Sequence, residues 1–280
     1  MTAGFSKVRT IAVTSGKGGV GKTNIATNLA MIFRRYKKRV LLVDLDLGLA
    51  NIDILLGFHA EYTLHDVIAG RKEMKDIIHH GPDGLMIVPA SSGVEELTYL
   101  NEMQKDRLFK GFSGLDDEVD IVIVDTGAGI SSNVLSFVLA ANEILLVTTP
   151  EPTAITDAYA MIKVLSKKRK NLNIRLLVNQ SCSKEEAEIT VKKITSVTRR
   201  FLDVNIEYFG YLLRDPNVPI ATRLQKSFVK EYPNTTATSC LSSIAASFLK
   251  KDDGTQALGI EGYFRRIADE KYVDTLSPNS

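Results

Sequence analysis

Short, nearly continuous apolar runs recur along the chain. They are VRTIAVT (8–14), RVLLVD (39–44), LMIVPA (85–90), VDIVIVD (119–125), EILLVTT (143–149), IRLLVN (174–179) and IEYFGYL (206–212). Segments of helical period lie between most of them, such as TNIATNLAMIF after the first run and AITDAYAMIKVLSKK later. Strands apolar on both sides and alternating with helices predict a mostly parallel, twisted sheet with helices on both faces, an α/β fold. The rhythm stops after ASFLKKDDGT (246–255), and GIEGYFRRIADEKY stands alone before a polar tail. The pattern therefore predicts one domain over 1–250, a hinge over 251–259, and a C-terminal amphipathic helix with its tail over 260–280.

In that last helix Ile260, Tyr263, Phe264 and Ile267 follow the i, i+3, i+4, i+7 spacing, with Arg265, Arg266 and Lys271 nearby. Such a face either packs on its own domain or lies on an anionic membrane, and the pattern alone supports both.

Composition narrows the field. The 280 residues are 44% hydrophobic and 24% charged, with 35 Lys and Arg against 33 Asp and Glu. That balance gives no bulk attraction to nucleic acid. Basic clusters do occur at FRRYKKR (33–39), SKKRK (166–170), Lys192-Lys193 and Arg199-Arg200. The first two sit at predicted helix C-termini, where cations complement the dipole, so a DNA-partition role is the lesser expectation. Two cysteines, Cys182 and Cys240, form no CxxC pair and argue against an iron–sulfur carrier. No apolar run reaches the length of a signal peptide or a membrane span, which predicts a cytoplasmic protein. His59, His65, His79 and His80 are expected at the surface; His79 and His80 could ligate a metal, but no third ligand is evident.

The chemistry concentrates in three acidic or glycine-rich segments. Gly16-Lys17-Gly18-Gly19-Val20-Gly21-Lys22-Thr23 fits G-x-x-x-x-G-K-[ST]. A strand leads in, and a helix with apolar Ile25, Leu29, Ile32 and Phe33 leads out, as a P-loop NTPase domain requires. Glycines let backbone N–H groups turn around phosphate oxygens, and the helix N-terminus adds partial positive charge. Lys22 would neutralise the β- and γ-phosphates of ATP, and Thr23 would offer its hydroxyl to Mg²⁺. Asp125 ends the buried run IVIVD, where a Walker B carboxylate holds magnesium, although it could also cap the next helix. Asp44, Asp46 and Asp53 form the third group, at the end of a parallel strand, where carboxylates can orient magnesium and a water. One lysine is enough for the phosphates; Lys17 is left over.

A KGGVGKT loop, VDxDxG on the next strand and a later D-[ST]-x-A-G resemble the deviant Walker A ATPases of the MinD/ParA group. The resemblance covers roughly Val8 to Ile267. It implies an ATP-dependent homodimer in which Lys17 reaches the phosphates held by the other subunit. It also implies that Asp46 positions the attacking water in switch I, that Asn179 reads adenine, and that the loop RDPNV with Asp215 approaches the base. Switch II falls at Asp125-Thr126-Gly127-Ala128-Gly129, with Gly127 where the group commonly has proline.

Within the group, LDLGLANIDILLG (45–57), TLHDVIAG (63–70) and EPTAITDAYAMIKVL (151–165) are similar to the flagellar number and site regulators, the FlhG/FleN/YlxH branch. That branch implies slow ATP hydrolysis, a membrane-targeting C-terminal helix in the ATP dimer, and a protein partner. The partner would be an FlhF-like GTPase, a flagellar switch component or a σ54-type transcription activator, with Asp157 and Tyr159 as candidate contacts. Alternatives are a MinD-type division-site regulator and a ParA-type partition ATPase. No DQA-type motif precedes the first strand, so activation of the GTPase is not expected.

Overall fold

A computed structural model describes residues 8–46, 51–89, 100–170, 172–250 and 259–268. All seven apolar runs form strands: β1 (Arg9–Ser15), β2 (Val40–Leu45), β4 (Met86–Val88), β5 (Ile121–Ala128), β6 (Glu143–Thr148), β7 (Ile174–Ser181) and β8 (Glu207–Leu213). An eighth, β3 (His79–His80), pairs antiparallel with β4 at one edge. Two residues are too short for any periodicity to show, so sequence pattern misses it. The sheet order is β3-β4-β2-β5-β1-β6-β7-β8, with every pair but the first parallel.

The helices are α1 (Lys22–Arg35), α2 (Ile52–Leu56), α3 (Leu64–Ile68), α4 (Met74–Ile77), α5 (Glu102–Ser113) and α6 (Ser132–Ala140), then α7 (Pro152–Lys168), α8 (Lys184–Leu202), α9 (Asn217–Arg223), α10 (Phe228–Glu231), α11 (Thr236–Lys250) and α12 (Gly259–Ala268). Strand alternation sorts the core into two faces. Ile11 and Val13 of β1 point into a core shared with α1, α10 and α11. Ala12 points the other way, into the core of α5 and α12, and its β6 neighbour Ile144 into that of α6, α7 and α8. Crossovers between parallel strands put these helices on the two faces of the sheet.

The basic segment 33–39 is tied into the fold. Arg34 donates to the carbonyls of Asp83 (2.9 Å) and Lys38 (2.8 Å), and Arg35 to that of Val229. Below the sheet Glu143 takes both Arg9 (2.8 Å) and the fully buried Arg175, whose guanidinium lies over the Phe209 ring. His79 stacks on Phe58 with centroids 3.8 Å apart, while His59, His65 and His80 are exposed. No group of three metal-ligating side chains occurs among the described residues.

The C-terminal helix packs on the domain, one of the two placements its pattern allows. Ile260, Tyr263, Phe264 and Ile267 are buried, not presented to a membrane. They fill a groove between α5 and α6: Phe264 stacks on Phe112, and the Tyr263 hydroxyl donates to the Phe137 carbonyl at 3.0 Å. The Ile260 N–H donates to Asp116 at 2.7 Å. The physical reason is that the domain supplies in cis the apolar complement that a bilayer would supply. Of the expected hinge only Gly259 is described, and the tail beyond Ala268 lies outside the described residues. No described helix is long and apolar enough to cross a membrane.

Candidate nucleotide-binding site

The site lies at the C-terminal edge of the sheet, where central β1 runs into the glycine loop and then α1. Backbone shape explains the glycines. Gly21 caps α1 with φ 88°, left-handed geometry that side chains resist. Gly16 needs its missing side chain for another reason, because a Cβ there would lie 2.2 Å from the Asp157 carbonyl oxygen of α7.

The loop's two lysines diverge. Lys22 turns inward, 7% exposed, and its Nζ is 2.6 Å from Asp125 Oδ1. Lys17 turns outward, and its Nζ is 2.8 Å from both Glu151 Oε2 and Thr153 Oγ1 at the start of α7. That contact holds the Glu151 carboxyl below its ordinary range. Glu151 holds the N-cap position of α7, and the Thr156 hydroxyl donates to the Pro152 carbonyl at 3.0 Å. Sequence reading missed Glu151 and Thr153 as site residues, although an acid just past a strand end at the nucleotide edge was the available signal.

Asp44 and Asp125 are cross-strand neighbours in the β2–β5 register. Both are buried, and their proximity is electrostatically unfavourable when both are ionised. Burial and the Asp125 charge push Asp44 up to about 7. Burial also raises Asp125, against the pull of Lys22 and Thr23. Asp44 Oδ1 accepts the Asp46 N–H at 3.0 Å, and its Oδ2 accepts those of Asn51 (3.3 Å) and Ile52 (3.4 Å). Asp125 Oδ2 is buried with no hydrogen-bond partner. An orphaned carboxylate oxygen next to a second carboxylate and the Thr23 position suits a hard divalent cation with oxygen ligands. The residues fit Mg²⁺.

Asp46 reaches switch II. A Cβ on Gly127 would lie 3.6 Å from Asp46 Oδ1 and 3.2 Å from Val134 Cγ2. The tight neighbour is Val134, while Asp46 lies at ordinary contact distance beside the switch. Asn179, at the end of β7, is 9% exposed and donates from Nδ2 to the Val20 carbonyl at 2.8 Å. It opens onto a cavity of about 880 Å³ lined also by Gln180, Arg214, Pro216 and Asp215. Gln180 has φ 59°, a left-handed conformation just past Asn179. Asp215 lines the cavity, but its carboxylate is engaged by the Asn217 N–H (2.9 Å) and the Ala237 N–H (3.2 Å). Asp53 stands apart, bonding the Ile54 N–H at 2.8 Å.

A phosphate loop on the central strand, a buried lysine–aspartate pair behind it and a cavity beside it define a P-loop nucleoside triphosphatase. A family model described as an AAA domain matches residues 8–178. The antiactivator FleN of Pseudomonas aeruginosa is 45% identical over 238 residues, 85% of each chain. The flagellum site-determining protein YlxH of Helicobacter pylori is 34% identical over 265 residues, 92% of this chain and 88% of that one. Among solved structures, the septum site-determining protein MinD complexed with Mg-ADP, from Pyrococcus horikoshii, superposes with a TM-score of 0.71 at 26% identity, covering 89% of this chain and 99% of that one. The chain belongs to the MinD/ParA family of deviant Walker A ATPases, within its flagellar-regulator branch. It is an ATPase whose cofactors are ATP and Mg²⁺.

Proposed function

We propose that this chain is an ATP-driven dimerising switch that limits the number or fixes the position of flagella. The observation that carries it is the divergence of the loop lysines: Lys22 faces its own phosphate site, and Lys17 is held outside it by Glu151. A lysine that its own loop does not use is available to a second copy. With ATP in the loop, Lys22 turns from Asp125 to the phosphates. Thr23, Asp44 and Asp125 would hold Mg²⁺, which would supply positive charge against the β- and γ-phosphates. Lys17 exchanges Glu151 for the partner's phosphates, so the dimer is favoured by as much as ATP prefers it. Asp46 orients the water that attacks the γ-phosphate.

The dimer is proposed to be the membrane-bound form, peripheral to the cytoplasmic face. Attachment requires α12 to leave its groove. Four fully buried side chains favour the groove by on the order of 6–12 kcal/mol before chain entropy is subtracted. One short helix recovers little of that on a bilayer, whereas two in a dimer act together. Attachment through α12 that requires dimerisation follows.

The flagellar target rests on the names of the relatives, a flagellum site-determining protein and an antiactivator. The second favours a σ54-type transcription activator among the three partner types, the others being an FlhF-like GTPase and a switch component. Asp157 and Tyr159 on α7 remain the proposed contact, both half-buried beside the nucleotide edge.

Light scattering with saturating ATP and Mg²⁺ tests the switch. Asp46→Ala should accumulate as a dimer with hydrolysis down about 10²-fold or more, and Lys17→Ala should remain monomeric while still binding nucleotide. A monomeric Asp46→Ala protein would sink the model. Deleting the gene should give supernumerary or misplaced flagella with normal division; minicells with unchanged flagella would assign the chain to septum placement.

A further inference from the structure

Helix α8 buries Ala187, Thr190, Val191, Ile194 and Thr198 against the domain. Its other side carries Ile189, Val197 and Phe201, which are 53%, 37% and 64% exposed. At 3.6 residues per turn they share that side with Lys192, Lys193 and Arg200, all exposed. Between 189 and 202 the helix has four cations, counting Arg199, and no carboxylate. None of the four pairs with a carboxylate among the described residues. The Arg200 guanidinium instead lies 5.3 Å from the centre of the Phe201 ring.

Single exposed apolar residues are ordinary on protein surfaces, and so are lysines. This face differs in having bulky apolar groups interleaved with unpaired cations over three turns. The neighbouring helix extends it. α7 and α8 pack in one layer and run the same way, each returning from the nucleotide edge of the sheet. Their C-terminal halves therefore meet at the opposite edge, where α7 adds exposed Lys163 and Lys167 and the segment after it exposed Lys170. That edge points away from a partner copy docked over the nucleotide. It stays accessible in monomer and dimer alike.

We propose that the outer face of α8, with the end of α7, is a contact surface for anionic lipid headgroups, distinct from α12. A phosphate-rich bilayer interface answers both features of the face, since headgroups take the cations and the acyl boundary takes Ile189, Val197 and Phe201. A nucleic-acid backbone answers only the cations, and aliphatic Ile189 and Val197 offer no stacking surface to bases. The layer is also the one that holds α12, on the same side of the sheet. The surface serves the cell only if the membrane attachment proposed above occurs, but the two contacts are separable. The α8 contact needs neither nucleotide nor dimer; it is weak, reversible and salt-sensitive.

Co-sedimentation of the nucleotide-free full-length chain with phosphatidylglycerol vesicles over a NaCl series tests it. The chain should partition onto them at low salt and not onto phosphatidylcholine vesicles. The double variant Lys193→Gln/Arg200→Gln should bind about 25-fold more weakly, at about fivefold per cation removed. Phe201→Ser should lower partition at fixed charge. Both variants sit on the solvent face, so melting temperature and ATP hydrolysis in solution should match wild type. The further binding gained with ATP should survive in both; if wild type lacks that gain but keeps the salt-sensitive part, α12 is excluded as the anchor and α8 is upheld. Equal vesicle partition of the double variant and wild type would overturn the proposal. So would loss of duplex-DNA retention in the double variant with vesicle binding unchanged.

Discussion

The ring of Phe264 lies flat on that of Phe112, with centroids 3.9 Å apart and planes 9° from parallel. Phe264 belongs to the last described helix and Phe112 to α5, so this stack is the central contact holding the C-terminal helix on the domain. It changes what a mutation at either position reports. Phe264→Glu would bury a carboxylate in an apolar groove and disturb folding as well as any membrane contact. Phe112→Ala is the more informative variant. It should destabilise the chain by about 3 kcal/mol and loosen the groove without altering α12. At a salt concentration that suppresses the α8 contact, vesicle binding should then no longer require ATP. A thermal melt confirms folding and sedimentation reads the release; unchanged ATP dependence would mean that the groove does not restrain α12.

Glu151 and Thr153 compete with a partner's phosphates for Lys17. Glu151→Gln removes the charge and keeps the size, so Lys17 should be released more readily and ATP-driven dimers should form faster. The contact is solvent-exposed, so stability should barely change. Stopped-flow light scattering after ATP addition gives the rate. A slower rate would show that Glu151 serves the dimer and does not restrain the monomer.

The buried carboxylates predict a pH dependence. Burial and the Asp125 charge raise the folded Asp44 carboxyl to about 7 from its ordinary 3.8. Between those values the folded chain keeps a proton that the unfolded chain has lost. Stability should fall as pH rises through that window, by at most about 1.4 kcal/mol per unit. Chemical denaturation of the nucleotide-free protein at pH 5, 6, 7 and 8 measures the slope. Asp44→Asn should flatten it, as should Mg²⁺ with ADP, because a bound cation replaces the proton. A slope unchanged by Asp44→Asn would assign the titration to another group.

Asn179 presents an amide to the cavity beside the loop. An amide can match the donor and acceptor edge of adenine, and each hydrogen bond contributes about 0.5–1.5 kcal/mol. Asn179→Ala should weaken ATP binding by about tenfold and reduce discrimination against GTP. Asn179 also donates to the Val20 carbonyl, so its removal loosens the loop as well as the base contact. Competition between ATP and GTP separates the two effects, since a loop defect weakens both nucleotides equally.

Local pattern determined much of this protein. Seven of the eight strands, the helices α1 and α7, and the phosphate loop from Gly16 to Thr23 are legible because strand period, helix period and glycine spacing act over a few residues. Asp44 and Asp125 are likewise legible as acids ending buried runs. Tertiary structure alone decided which distant groups meet. The pairing of Lys17 with Glu151 spans 134 residues, and that of Phe112 with Phe264 joins α5 to the last described helix. The buried Arg175, an unlikely residue for a central strand by composition, is tolerated because Glu143 neutralises it and Phe209 covers it. An apolar face specifies that it needs an apolar complement and leaves the complement unspecified, so the sequence of α12 fits a bilayer and a groove equally. Only the packed helices α5 and α6, with a gap of matching shape between them, select the groove.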